Sequence, residues 1–129
     1  MHLGEDQLFQ FQYLPRVKSA MVIEDKIYNY RVNRNDSLMQ LYSAKKIQKM
    51  ECHMELVEKV TDIWKREKYF DVAEDKLITW MVNFLYYTIV DFPITFKQKY
   101  AEKILAFIEE KQFKTYLLAE YEQELFKQL

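Results

Sequence analysis

The sequence predicts a mainly α-helical protein, with a C-terminal bundle of about four helices preceded by a short helix and a β-strand or hairpin. Three observations lead to this fold class. The chain has 129 residues, 50% of them hydrophobic, which suffices for one core. Apolar residues recur at helical spacing over most of the second half. Helix breakers are scarce, because Gly4 is the only glycine and Pro93 is the only proline after Asp36.

The elements before Asp36 are a short helix and a strand. Residues 6–13 have the apolar pattern of a short helix that Pro15 helps to end. Residues 20–23 and 26–32 are rich in β-branched and aromatic side chains in near alternation. We therefore expect one kinked strand or a small hairpin there.

Four helices are predicted after Asp36, which together with Asn35 suits a helix cap. They cover about residues 37–68 and 72–90, a segment after Pro93, and residues from about 113 to the end. Their apolar stripes predict the core. The predicted core residues are, in the first helix, Ile47, Met50, Met54, Val57, Val60 and Trp64; in the second, Leu77, Trp80, Met81, Phe84 and Leu85; in the third, Phe96, Tyr100, Ile104, Phe107 and Ile108; and in the last, Tyr116, Leu117, Tyr121 and Leu125.

Composition excludes several functional classes. A net charge of −1 and a pI near 6.1 argue against a nucleic-acid partner. A single cysteine, Cys52, cannot form a disulfide within the chain, which favours a cytoplasmic location. No apolar stretch approaches the length of a membrane-spanning helix. The first residues include Glu5 and Asp6, whereas a signal peptide begins with basic residues and then an apolar run. One glycine is too few for a phosphate-binding loop.

The most informative segments are Gly4-Glu5-Asp6, followed by an apolar helix pattern, and the later run from Tyr28 to Ser37, which reads YNYRVNRNDS. In this order they resemble the end of the GT-A catalytic domain in bacterial family 2 glycosyltransferases. The resemblance covers about residues 1–40. It implies that residues 1–36 end a GT-A α/β catalytic domain, to which the short helix and strand would belong, and that residues 37–129 form a C-terminal helical region.

The resemblance also implies an activity and residue roles. The activity is transfer of a sugar, with inversion, from a nucleotide-diphosphate donor to an acceptor hydroxyl. Asp6 matches the family's catalytic base, which removes the proton of the attacking hydroxyl. Glu5 would orient the acceptor, and Gly4 would allow close approach of the backbone. An acidic pair before an apolar run is also an ordinary helix start, in which carboxylates oppose the helix dipole.

The second motif resembles the family's loop over the donor diphosphate. By that resemblance Arg31 or Arg34 would neutralise the departing diphosphate and Ser37 would donate a hydrogen bond to it. A solvated turn with Asp36 or Ser37 as helix cap is the alternative. The family's nucleotide-binding half and its Asp-x-Asp metal motif are missing from the sequence. We therefore expect no cofactor in this chain, Mg²⁺ or Mn²⁺ in the parent enzyme, and no turnover by the chain alone.

Partners follow partly from the resemblance and partly from charge. The parent enzyme would use a nucleotide-sugar donor and a glycan or lipid-linked acceptor. The basic run at Lys45, Lys46 and Lys49 is typical of a solvated helix face, and it also suits peripheral contact with the inner face of the membrane. The alternative to an enzyme is a non-catalytic helical interaction module, including a homodimer. His53 and Cys52 lack further ligands at metal-binding spacing.

Overall fold

The structure is a computed structural model that describes residues 4–26 and 45–129. Within these ranges there are five α-helices: α1 (Glu5–Tyr13), α2 (Lys46–Arg66), α3 (Phe70–Ile89), α4 (Ile94–Glu110) and α5 (Glu120–Lys127). Single 3₁₀ turns lie at Leu14–Arg16 and Thr115–Leu117. The prediction of a mainly helical protein is confirmed.

The predicted strand is not seen in the part of the chain that the structure describes. Residues 20–26 form neither helix nor strand. A strand needs a neighbour for its backbone hydrogen bonds, and residues 4–26 and 45–129 offer none. The other residues of the predicted strand, 27–32, and the predicted boundary between residues 36 and 37 lie outside the described residues.

The core lies between α2 and α3, which run antiparallel, and it is closed by α4 and α5. A hydrogen bond of 2.9 Å joins Nδ1 of His53 on α2 to Oγ1 of Thr88 on α3. The Tyr100 hydroxyl on α4 donates to Oε1 of Glu51 on α2 at 2.7 Å. Burial and this hydrogen bond raise the pKa of Tyr100 to about 12. The largest fully buried side chains are Met50, Leu56, Leu77, Ile78, Met81, Leu85, Ile89, Tyr100 and Ile104.

Four residues predicted to face the core are exposed instead. They are Ile47 and Phe96, in the first turns of α2 and α4, and Tyr116 and Tyr121, near the start of α5. All four lie close to helix ends, where neighbouring helices no longer cover the stripe that periodicity predicts. The Tyr121 hydroxyl contacts the Tyr87 hydroxyl at the surface.

The prediction of a last helix beginning near residue 113 is wrong. Helix α4 ends in a Schellman turn, in which the amide of Phe113 donates to the carbonyl of Ile108. The Phe113 ring then packs on Phe70, with ring centroids 5.2 Å apart, and on Phe107. With Phe113 packed in the core, residues 113–119 form no α-helix, and α5 begins only at Glu120.

Helices α2 and α4 both end with a non-glycine residue in the left-handed conformation. Lys68 and Gln112 each have φ of 60°. At the first turn the Tyr69 amide donates to the Trp64 carbonyl at 2.8 Å, and the two rings meet edge to face at 4.8 Å. Glycine is the usual residue here because a Cβ costs about 1 kcal/mol in this conformation.

We expect Lys68→Gly and Gln112→Gly each to raise the free energy of unfolding by about 0.5–1 kcal/mol, because glycine relieves the backbone strain at φ of 60°. Urea denaturation followed by circular dichroism measures this. Lys68→Ala and Gln112→Ala are the controls, since they remove the side chain and keep the Cβ. Equal stabilisation by the alanine variants would show that strain is not the cause.

Candidate functional site

The candidate site begins at Gly4, which precedes α1 in a conformation that favours glycine. Its φ is 89° and its ψ is 14°. A Cβ built at this position would lie 3.0 Å from Cδ2 of Leu56, a fully buried residue of α2. The Gly4 carbonyl accepts a hydrogen bond of 2.9 Å from the Leu8 amide. Any other residue here would be strained and would press on the core, so glycine holds the start of α1 close against α2.

Glu5 and Asp6 form the first turn of α1, and both are exposed. One carboxylate oxygen of Asp6 accepts a hydrogen bond of 2.8 Å from the Gln7 amide. The two carboxylates therefore face solvent at a helix start that lies close against Leu56 of α2.

Helix α1 is held on the bundle by the aromatic side chain of Phe11. Its ring lies between two tryptophans, with centroids 5.7 Å from Trp64 on α2 and 4.4 Å from Trp80 on α3. Nε1 of Trp64 donates to the Phe11 carbonyl at 2.9 Å. Because Trp64 is only 3% exposed, this hydrogen bond is shielded from water.

A surface ion pair holds the end of α1. The Arg16 guanidinium lies 2.8 Å from the Glu67 carboxylate at the end of α2. The hydrogen bond to Glu67 raises the pKa of Arg16, and the hydrogen bond from Arg16 lowers the pKa of Glu67. Contacts of Gly4 with Leu56, Phe11 with Trp64 and Arg16 with Glu67 follow the same order along both helices. Helix α1 therefore lies alongside α2 in a parallel direction.

The outer face of α1 and the segment after it expose apolar side chains. Phe9 and Tyr13 are 66% and 62% exposed, and their rings stack at 6.3 Å. This surface, which we call the α1 outer face, also includes Leu14, Met21, Val22 and Ile23. Val22 is 97% exposed. Exposed apolar side chains that lie against one another, as Phe9 and Tyr13 do, are typical of surfaces that meet another protein unit.

The structure places only part of the predicted site. Gly4, Glu5 and Asp6 are together at the start of α1, whereas Arg31, Arg34 and Ser37 lie outside the described residues. Sequence reasoning missed the contacts of Phe11 with Trp64 and of Arg16 with Glu67, which join α1 and the turn after it to α2. The apolar pattern of residues 6–13 predicts a short helix, and it does not indicate which residues that helix packs against.

His53 is a buried core residue in contact with Thr88 and Phe84. Its Nδ1 lies 2.9 Å from Oγ1 of Thr88, and its ring centroid lies 4.3 Å from that of Phe84. Burial, with a smaller contribution from Lys49, lowers the pKa of His53 to about 4. The imidazole is therefore neutral at pH 7.

This histidine makes stability depend on pH. The unfolded chain binds the proton near pH 6.5 and the folded chain only near pH 4, so stability falls as the pH drops from 6.5 to 4. We expect a loss of about 2 kcal/mol, which is smaller than the shift alone implies because local relaxation lets water reach the buried charge. Urea denaturation between pH 7 and pH 4 measures it. The variant His53→Gln should lose the contribution of the histidine to this pH dependence of stability and keep only the contribution of the carboxylates. An unchanged pH dependence would contradict the assignment to His53.

Residues 4–26 and 45–129 contain no group of three or more His, Cys, Asp or Glu side chains placed to hold a metal ion. No helix in these ranges has both the length and the apolar character needed to cross a membrane. Comparisons with protein-family models, with curated proteins and with solved structures match nothing to this chain.

Proposed function

We propose that this chain is the C-terminal part of an inverting family 2 glycosyltransferase and that it supplies the catalytic base. The observation that carries the proposal is the presentation of Glu5 and Asp6. Both are exposed in the first turn of α1, directly after a glycine with φ of 89°. An acceptor hydroxyl can approach such a carboxylate from solvent, as general-base catalysis requires.

The exposed apolar surface supports the same proposal. The α1 outer face leaves Phe9, Tyr13 and Val22 uncovered, on the helix that carries the acidic pair and on the segment that follows it. A donor-binding GT-A half packed on this face would cover these side chains and bring the sugar nucleotide towards Asp6. Burial of apolar surface would then place the base and the donor together.

In this proposal the helical region positions α1, the helix that carries the catalytic base. The contacts of Phe11 with Trp64 and Trp80 connect the helix that carries the base to both long core helices. Displacement of a catalytic group by about 1 Å can cost about 100-fold in rate. In this proposal the bundle therefore acts as a rigid support for Asp6.

The test compares the 129-residue chain with a longer protein in which a donor-binding GT-A half precedes it. Both are incubated with nucleotide-diphosphate sugars, Mg²⁺ or Mn²⁺, and acceptors, and NMR determines the anomeric configuration of the product. We expect transfer with inversion by the longer protein only. The chain alone should show no saturable donor binding at sub-millimolar concentration. Retention of configuration, or tight donor binding by the chain alone, would contradict the proposal.

A second candidate function is a helical interaction module that forms a homodimer, and the α1 outer face favours it as well. Two copies of this face would bury Phe9 and Tyr13 against each other. Sedimentation velocity over a range of concentrations distinguishes the candidates. A dimer that Phe9→Asp abolishes and Val72→Asp preserves would favour this function, since Val72 is an equally accessible residue on another helix.

A further inference from the structure

An apolar groove lies at the end of the bundle where α2 and α4 begin and α3 ends. It encloses a volume of about 410 Å³. Its walls are the first residues of α2 and the connection between α3 and α4. The lining residues are Lys45, Lys46, Ile47, Gln48, Phe92, Pro93 and Phe96. We call this surface, with Ile94 beside it, the bundle tip.

Large apolar side chains are exposed at the bundle tip. Ile94 is 74% exposed, and Ile47 and Phe96 are 43% and 40% exposed. Phe92 is buried and forms the floor of the groove. Ile47 and Phe96 continue the apolar stripes of α2 and α4 past the region that other helices cover. The described residues thus leave large apolar side chains of the bundle tip exposed.

Lys45 and Lys46 line this groove, and further lysines follow closely in the sequence. Residues 45–49 and 91–97 contain four lysines, Lys45, Lys46, Lys49 and Lys97, against the single acid Asp91. None of the four lysines forms an ion pair with any residue in 4–26 or 45–129. This local excess of three positive charges stands in a chain whose net charge is −1. The bundle tip is therefore a distinct basic site on an otherwise slightly acidic protein.

The start of both helices adds to this positive charge. Neither α2 nor α4 has a side-chain cap or an acidic residue in its first turn, and Lys45 occupies the cap position of α2. Acidic residues normally stabilise this end of a helix and lysines destabilise it. The arrangement therefore opposes helix stability and complements an anionic surface.

We propose that the bundle tip docks on the surface of an anionic lipid bilayer. Ile94, Ile47 and Phe96 enter the boundary between head groups and acyl chains, and the lysines reach lipid phosphates while their methylene stems stay in apolar contact. A bilayer offers hydrocarbon and dense negative charge together. An acidic protein would match only the lysines. This proposal does not depend on the sugar-transfer reaction.

Co-sedimentation of the complete chain with vesicles tests the proposal. We expect binding to vesicles of phosphatidylcholine mixed with phosphatidylglycerol and little binding to phosphatidylcholine alone. The double variant Lys45→Gln/Lys46→Gln should weaken binding about 25-fold, since each lysine at the surface contributes roughly fivefold. Ile94→Asp should weaken it at least about tenfold through loss of apolar burial. An acid at the start of α4 also suits the helix, so this variant should fold.

Matched controls lie at the other end of the bundle. Val72 is 75% exposed in the first turn of α3, so Val72→Asp repeats the change at Ile94 in an equivalent setting. The pair Lys68→Gln/Lys114→Gln repeats the loss of two charges. Both controls should bind vesicles as the unchanged chain does, and circular dichroism should show that all variants are folded.

Several results would overturn the proposal. One is failure of the unchanged chain to bind anionic vesicles, and another is equal loss of binding by the control variants. Binding to polyglutamate but not to vesicles, sensitive to Lys45→Gln/Lys46→Gln, would instead identify an acidic protein as the partner. A dimer in sedimentation velocity that Ile94→Asp abolishes would identify a second copy as the occupant.

Discussion

Replacing Trp64 by alanine is expected to lower the free energy of unfolding by about 3–5 kcal/mol and to release α1 from the bundle. Trp64 is 3% exposed, so its removal leaves a large cavity in the core. The change also removes the hydrogen bond to the Phe11 carbonyl and the ring contacts with Phe11 and Tyr69. Urea denaturation gives the stability, and amide hydrogen exchange in residues 5–13 reports the release of α1.

The control for this prediction is Trp64→Phe, which keeps an aromatic ring and removes the indole donor. It should cost less than the alanine variant, and amide exchange in α1 should rise only slightly. Exchange in α1 that is unchanged in Trp64→Ala would show that this tryptophan does not hold the helix. A loss of stability below about 1 kcal/mol would contradict the buried position of the side chain.

The variant Asp6→Asn, in an enzyme that contains this chain, is expected to lower kcat by about 100- to 10,000-fold. The amide keeps an oxygen that accepts the hydrogen bond from the Gln7 backbone, so α1 should stay intact. What it loses is the ability to take a proton from the acceptor hydroxyl. Donor binding should change little, because the base does not contact the diphosphate in the proposed arrangement. Steady-state kinetics and donor titration measure the two effects separately.

Two further variants test whether the loss of kcat is specific to Asp6. Asp71→Asn removes an exposed acid from the first turn of α3, the same local setting, and should leave kcat unchanged. Glu5→Gln distinguishes the two adjacent acids, since a group that orients the acceptor should alter KM more than kcat. Near-normal transfer by Asp6→Asn would remove Asp6 from the role of base.

The long helices could be predicted from the sequence because each carries its signal locally. In α2 the residues Met50, Val57, Val60 and Trp64 repeat at helical spacing, and the structure buries all four. The connection before α4 contains Pro93, the only proline in that half of the chain. Such signals lie within one window of residues, so they need no knowledge of the neighbouring helices.

The features that sequence reasoning missed depend on contacts between distant residues. Phe11 and Trp64 are 53 positions apart, and no pattern within either helix links them. The turns at Lys68 and Gln112 lack the glycine that normally signals a left-handed helix end. The late start of α5 depends on the packing of Phe113 on Phe70, which lies in a different helix. At the candidate site the order Gly4, Glu5, Asp6 predicts a helix start. It does not predict that this helix start lies close against Leu56 of α2.

The contacts of Phe11 also give the protein a built-in optical signal. The chain has two tryptophans, Trp64 and Trp80, and both indoles touch the Phe11 ring. Indole emission shifts to longer wavelength when water reaches the ring. Detachment of α1 would expose both rings on this side, so intrinsic fluorescence would follow the position of the helix that carries Asp6. Binding of a donor-binding half, a second copy or a bilayer could thus be tested for an effect on α1 without any label.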